Sequence, residues 1–141
     1  MTREAAGLLA EDARRAGCEL RVRAAEGLVG RWDRARVEQV VTNLLSNAIK
    51  YGAGAPVEVE AQRAGTRARL VVRDCGIGVA EAERERIFRR FERAVSSKHY
   101  GGLGLGLYIV RRIVDAHDGE VRVTDAPGGR GAEFTVELPL Q

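Results

Sequence analysis

Residues 43–50 read Asn-Leu-Leu-Ser-Asn-Ala-Ile-Lys, and Tyr51 follows. Asn43, Asn47 and Lys50 stand at i, i+4 and i+7, so a helix would carry them as one polar stripe. Asparagine is a poor residue for a helix interior, and two of them want a chemical reason. An amide oxygen is a neutral, hard ligand suited to Mg²⁺. That ion takes few protein oxygens and fills its shell with water and phosphate. Lys50 and Tyr51, about one turn further on, could reach phosphate oxygens beside it. A solvated helix face would carry the same residues, so the stripe alone leaves both readings open.

Two other segments carry chemistry. Asp74-Cys75-Gly76-Ile77-Gly78 puts a carboxylate at the end of an apolar run and follows it with glycines. Such a carboxylate can accept from an exocyclic amine such as that of adenine. Gly76 and Gly78 would let the backbone approach a flat ring. A strand-end Asp capping a glycine turn is the alternative. Residues 101–107, Gly-Gly-Leu-Gly-Leu-Gly-Leu, then lead into a helical pattern. Exposed N–H groups and the helix N-terminus would together make an anion site. The run lacks the Gly-Lys-Ser/Thr ending of a P-loop. It also does not directly follow a strand in a βαβ unit, as a dinucleotide fingerprint does. Each segment is a weak signal alone, but their order within one small chain specifies a nucleotide site.

The elements that must position these residues follow from periodicity. Residues 3–16 suit a helix stopped by Gly17, and residues 19–24 alternate as a strand around Leu20 and Val22. Residues 27–31 suit a turn and a short extended piece. Asp33 is a fitting N-cap for a helix over 34–50. Val37, Val40, Val41, Leu44, Leu45, Ala48 and Ile49 form its buried stripe. Residues 57–62 and 67–74 make two strands around Gly65-Thr66. Residues 81–91 predict a charged helix with Ile87, Phe88 and Phe91 inward. Residues 92–103 lack periodicity and predict a loop. A helix over 105–117 buries Ile109, Val110, Ile113 and Val114, with Gly119 as its cap. Residues 120–124 and 132–138 close the chain as strands around Gly128–Gly131. This order predicts an α+β two-layer sandwich, one sheet covered by helices on one face.

The chain has 141 residues, enough for one domain with a real core. Aromatic residues make up 5%, so aliphatic side chains must build that core. The net charge of +3 is spread without a basic, aromatic-laced patch, which argues against nucleic acid as a partner. No apolar run approaches the roughly 18 residues that a membrane span needs. The start, Met-Thr-Arg-Glu, lacks a signal-peptide apolar region. These features predict a cytoplasmic piece, compatible with the cytosolic part of a membrane-anchored parent. Cys18 and Cys75 lack metal-ligand spacing and suit free thiols in a reducing compartment.

In this order the motifs resemble those of the ATP-binding catalytic domain of bacterial sensor histidine kinases. That domain belongs to an ATPase superfamily that includes gyrase, a class of heat-shock chaperones and mismatch-repair proteins. Residues 43–51 resemble the family's N box and 74–78 its first glycine box. Residues 87–93, Ile-Phe-Arg-Arg-Phe-Glu-Arg, resemble the phenylalanine box, and 102–107 the second glycine box. Residues 129–134 are similar to its last glycine-bearing strand. The resemblance implies a Bergerat-type sandwich that binds ATP and Mg²⁺. Asn47 would coordinate the metal, Asn43 would support the phosphates or metal, and Lys50 and Tyr51 would contact phosphates or ribose. Asp74 would bind the adenine amine in a pocket shaped by Gly76 and Gly78. Residues 91–104 would form an ATP lid, with Arg93, Lys98 and His99 as candidates for phosphate or partner contacts. Gly102, Leu103, Gly104, Leu105 and Gly106 would cradle phosphate, the glycines hinging the lid. Cys75 departs from a frequent Asn and Ala80 from a common Pro, and neither removes a proposed ligand.

The resemblance also implies a choice of chemistry. Hydrolysing relatives place a water-activating Glu four residues before the metal-binding Asn, where this chain has Asn43. An amide cannot act as general base. A neutral imidazole needs no such help, which fits histidine as acceptor. Neither His99 nor His117 is followed by the family's full acceptor pattern. The acceptor is therefore expected on a dimeric helical hairpin upstream, in cis in a longer parent or in trans. A response regulator receiver domain would act downstream, and the isolated domain is expected to be a monomer. The alternatives are a non-catalytic nucleotide-binding module of the same fold and an ATP-hydrolysing relative.

Overall fold

Alternation of apolar and charged residues builds one five-stranded sheet. The structure, a computed structural model, describes residues 6–25, 27–51, 54–89 and 106–140. The strands are β1 (Leu20–Ala24), β2 (Val57–Ala64), β3 (Arg67–Arg73), β4 (Glu120–Asp125) and β5 (Ala132–Pro139). Their spatial order is β1-β2-β3-β5-β4. β1 is parallel to β2, and the other pairings are antiparallel. Val57, Val59, Val72, Val123, Phe134 and Val136 point from the sheet into the core.

The helical layer covers that face. It comprises α1 (Ala10–Arg15), α2 (Arg34–Tyr51) and α3 (Gly106–Ala116). Leu44 and Leu45 on α2 are wholly buried, as are Val110 and Val114 on α3. The α2 stripe expected from periodicity is the one that is buried. Asp33 caps α2 through Oδ1, which accepts from the Arg36 N–H at 3.3 Å. Trp32, just before the cap, donates from Nε1 to the Pro139 carbonyl at 2.9 Å. The entry of α2 is thereby tied to the end of β5. No helix among the described residues is long and apolar enough to cross a membrane. Cys18 is buried and Cys75 exposed, and both are free thiols.

Two expectations need correction. Residues 81–91 do not form one helix: the described part holds two short 3₁₀ turns, Glu81–Glu83 and Arg86–Phe88. Ala80 supplies no side-chain cap, and tertiary contacts pull the segment apart. Arg84 Nη2 reaches Asp125 Oδ1 at 3.0 Å, whereas Phe88 turns inward. The Phe88 ring meets Phe134 edge-on, with centroids 6.2 Å apart. Arg111 on α3 lies over Phe88 and binds Glu85 at 2.8 Å, which fastens this turn to the helix. At the end of α3, the left-handed cap is Asp118, with φ at 58°, and not Gly119. Gly119 is needed for space: a Cβ there would strike the Glu137 carbonyl oxygen and the Leu138 side chain.

The other face of the sheet is ionic. Arg73 donates to Glu133 at 2.9 Å and to Glu60 at 3.0 Å, and lies 3.6 Å from Glu58. Burial alone would lower the Arg73 guanidinium, but the bonds to Glu133 and Glu60 hold it above its ordinary value. These pairs fix the last residue of β3, immediately before Asp74. Arg73→Leu should leave three carboxylates facing one another and lower unfolding stability in urea by about 1–2 kcal/mol. High salt should shrink the difference.

Candidate functional site

The site forms where α2, the turn after β3 and the start of α3 meet. The apolar stripe of α2 faces the core, which rotates Asn43, Asn47 and Lys50 to its margin. Asn43, Asn47 and Tyr51 are half-buried there, and Lys50 is exposed. Asn43 Nδ2 donates to the Gly106 carbonyl, the first residue of α3, at 3.2 Å. Ile77 N–H donates to the Tyr51 carbonyl at 3.4 Å, which brings the Asp74 turn to the C-terminal end of α2. Asn47 makes no hydrogen bond to any described residue, so its amide oxygen is available to a ligand.

Asp74 is only 3% exposed although it is a carboxylate. Its Oδ1 accepts from Gly76 N–H at 3.0 Å and Ala132 N–H at 3.2 Å. Both bonds fall on one oxygen, and Oδ2 accepts none from the described residues. That oxygen can serve an amine on a ligand. Burial raises the Asp74 carboxyl above its ordinary value, and the Gly76 and Ala132 N–H groups pull it back in part.

The turn has room only for glycine at two places. Gly78 has φ at 71°, and a Cβ there would come 3.1 Å from the Gly131 carbonyl oxygen. Gly131 has φ at 91°, and its Cβ would collide with the Asp74 carbonyl. Gly131 and Ala132 therefore belong to the site; the sequence places them in the 129–134 motif but assigns them no role there. The signal was present in the Gly128–Gly131 run, but a hairpin turn explained those glycines equally well. Arg93, Lys98, Gly102, Leu103, Gly104 and Leu105, with the expected lid over 91–104, lie outside the described residues. Gly106 is described, and it opens a helix of 11 residues whose N-terminal N–H groups suit an anion.

A metal fits this set of residues only in a particular way. Among the described residues no group of three or more His, Cys, Asp or Glu could hold an ion. The free Asn47 amide supplies one oxygen, and the rest of a Mg²⁺ shell would come from water and phosphate.

Residues 32–141 match the model of the histidine kinase-, DNA gyrase B- and HSP90-like ATPases. The chain belongs to this ATPase family. All the proposed site residues of this ATPase domain fall within the matched span. A similar relative is the sensor-like histidine kinase SenX3 of Mycobacterium tuberculosis, 39% identical over 127 residues. That alignment covers 88% of this chain and 31% of SenX3, so the chain spans about a third of that relative. Among solved structures, full-length ShkA in complex with AMPPNP superimposes with a TM-score of 0.86 at 33% identity. It covers 99% of this chain and 29% of ShkA. The nucleotide-free catalytic domain of the histidine kinase ThkA gives 0.85 at 29% identity, covering 99% of this chain and 91% of that domain. The domain thus has the fold of histidine kinase catalytic domains.

Proposed function

We propose that this domain binds Mg-ATP and transfers the γ-phosphoryl group to a histidine on a separate dimerisation domain. The observation that carries this is the placement of Asn43. It stands one turn before Asn47 at the margin of the site, and its amide nitrogen is used on the Gly106 carbonyl. A carboxylate there would activate water, whereas an amide holds helices together and takes no proton. The AMPPNP complex of the similar ShkA supports ATP as ligand.

The chain's own residues act by positioning. Asp74 Oδ2 accepts from the adenine amine while Oδ1 stays committed to the Gly76 and Ala132 N–H groups. Gly76 and Gly78 let the backbone lie close to the ring. Asn47 supplies the protein oxygen for Mg²⁺, and Lys50 and Tyr51 attend the phosphates or ribose. When bound, Mg²⁺ would neutralise charge on the phosphate oxygens. Gly106 and the α3 N-terminus receive negative charge, with Arg93, Lys98 and residues 102–105 completing the phosphate contacts. The phosphoryl acceptor lies on a helical hairpin domain in cis or in trans, and a response regulator takes the group next. The domain works in the cytosol and is monomeric in isolation.

The test is transfer itself. The domain is mixed with γ-labelled ATP and a histidine-bearing hairpin domain from a similar kinase. Acid-labile label on that hairpin's histidine, with slow turnover by the domain alone, is the expected result. Rapid ATP hydrolysis by the domain alone, or no label on the histidine of any hairpin offered, would contradict it.

A further inference from the structure

Outside the nucleotide site, one imidazole links two elements in a way that dictates its protonation state. His117, just past the end of α3, has Nδ1 at 2.8 Å from the Ile113 carbonyl oxygen. Its Nε2 lies 3.0 Å from the backbone nitrogen of Asp33, the cap residue of α2. A carbonyl oxygen only accepts, so Nδ1 carries the proton. A backbone N–H only donates, so Nε2 must offer a lone pair. The ring is therefore neutral with its proton on Nδ1. A doubly protonated ring would set one N–H against another at Asp33.

This contact has a counterpart at the other end of the helix pair. Asp33 bonds to His117 past the end of α3, and Asn43 bonds to Gly106 at its start. The helices are consequently antiparallel, and α3 is pinned at both its ends, to the start and to the middle of α2. Asp33 to Asn43 is about 15 Å of helix rise and Gly106 to His117 about 16 Å, so the two spans match. Between them lie apolar side chains, including Val41, Leu44, Val110 and Val114. Apolar contacts are non-directional and tolerate a small slide. The polar bonds at the two ends set the register.

We propose that His117 is a positioning residue: its neutral ring holds the start of α2 against the end of α3, and protonation releases that hold and loosens the register that Asn43 and Gly106 keep at the nucleotide end. The role rests on the proposed nucleotide-binding role of Asn43. Arg34 and Arg36 follow Asp33 on the α2 side. The Asp33 carboxylate on the α2 side is committed to the Arg36 N–H. Asp115 and Asp118 are near it in sequence on its own segment, and both are exposed. β5 meets this corner through the Pro139 carbonyl, which accepts from Trp32. Acid thus removes the acceptor that the Asp33 N–H needs.

The experiment follows the whole chain by NMR from about pH 8 to pH 5.5, the range in which imidazole titrates. It monitors the His117 ring nitrogens, the Asp33 amide and the Asn43 side-chain amide. Mg-ATP affinity is measured in parallel for wild type, His117→Gln and His117→Phe. The Gln amide oxygen can accept from Asp33 and does not titrate. At high pH the ring should be the Nδ1–H tautomer. On acidification the Asp33 and Asn43 signals should move with the ring's midpoint in wild type and stay fixed in His117→Gln. Wild-type affinity should fall about fivefold more than that of His117→Gln over this range, the equivalent of one hydrogen bond. His117→Phe should bind more weakly at every pH. If thermal unfolding shows that it does not fold, the wild-type and Gln profiles decide. An Nε2–H tautomer, Asn43 signals indifferent to the ring, or one shared pH profile would overturn the proposal. Coupled NMR titration in a chain that binds no nucleotide would overturn the nucleotide-binding role and leave the register clamp standing.

Discussion

Asp74→Asn should weaken ATP binding by about 100-fold or more without weakening the fold. In the folded chain, Asp74 Oδ1 is occupied by the N–H groups of Gly76 and Ala132. An Asn side chain keeps that acceptor and so keeps the turn. Its second atom is then an amide nitrogen, a donor, placed where the proposed site has the adenine amine donate. Two donors face each other in a buried pocket, which is why the loss is large.

Stability should move the other way. Burial is the main influence on Asp74, and it raises the folded-state value above the ordinary 3.8. The fold therefore favours the protonated carboxyl. Its stabilising contribution is complete below pH 3.8 and is lost as pH rises through the raised folded value. At neutral pH the ionised group is a burden on the fold. Asp74→Asn should leave urea stability at pH 7 equal to wild type or higher. That advantage should fade on acidification. A variant that binds ATP as wild type does, or loses stability with the charge, would show that Asp74 is merely a turn cap.

Gly131→Ala should produce the second large effect, on fold and ligand together. The position combines a left-handed φ of 91° with backbone atoms of Asp74 and Cys75 inside contact distance of any Cβ. Neither obstacle is the yielding end of a side chain, so the hairpin or the Asp74 turn must shift. A stability loss of about 3 kcal/mol is expected. Gly131 also precedes the Ala132 N–H that holds Asp74 Oδ1, so ATP affinity should fall with it. Gly129 is the control. Its φ is 78° with nothing within 4 Å of a Cβ, so Gly129→Ala should cost only about 1 kcal/mol and spare binding. Equal effects at the two glycines, by urea unfolding and calorimetry, would contradict the close approach of Gly131 to the Asp74 backbone.

Much of this arrangement is legible in the sequence because the elements that position the site are strongly periodic. The stripe from Val37 to Ile49 predicts both the burial of α2 and the margin on which Asn43 and Asn47 lie. Alternation in the strands predicts the sheet, and Asp33 predicts the start of α2. Legibility fails where long-range contacts outweigh local preference. Residues 81–88 look helical, but Arg84 is drawn to Asp125 and Phe88 to Phe134, and the chain breaks into short turns. Gly119 looks like a helix cap, yet Asp118 takes the left-handed conformation and Gly119 clears the β5 backbone. Gly131 is hidden for the same reason: its necessity comes from Asp74, 57 positions earlier in the chain. The pairing of His117 with Asp33 joins residues 84 positions apart, and no local pattern shows it.

The proposed Mg-ATP site joins α2, the Asp74 turn and the start of α3, with its metal held through Asn47. Calorimetric titration with ATP, with and without Mg²⁺, tests it on wild type and Asn47→Ala. Wild type should bind ATP, and Mg²⁺ should tighten binding by about tenfold or more, a gain that Asn47→Ala should lose. No binding of ATP by the wild type, or a Mg²⁺ effect that survives Asn47→Ala unchanged, would contradict it.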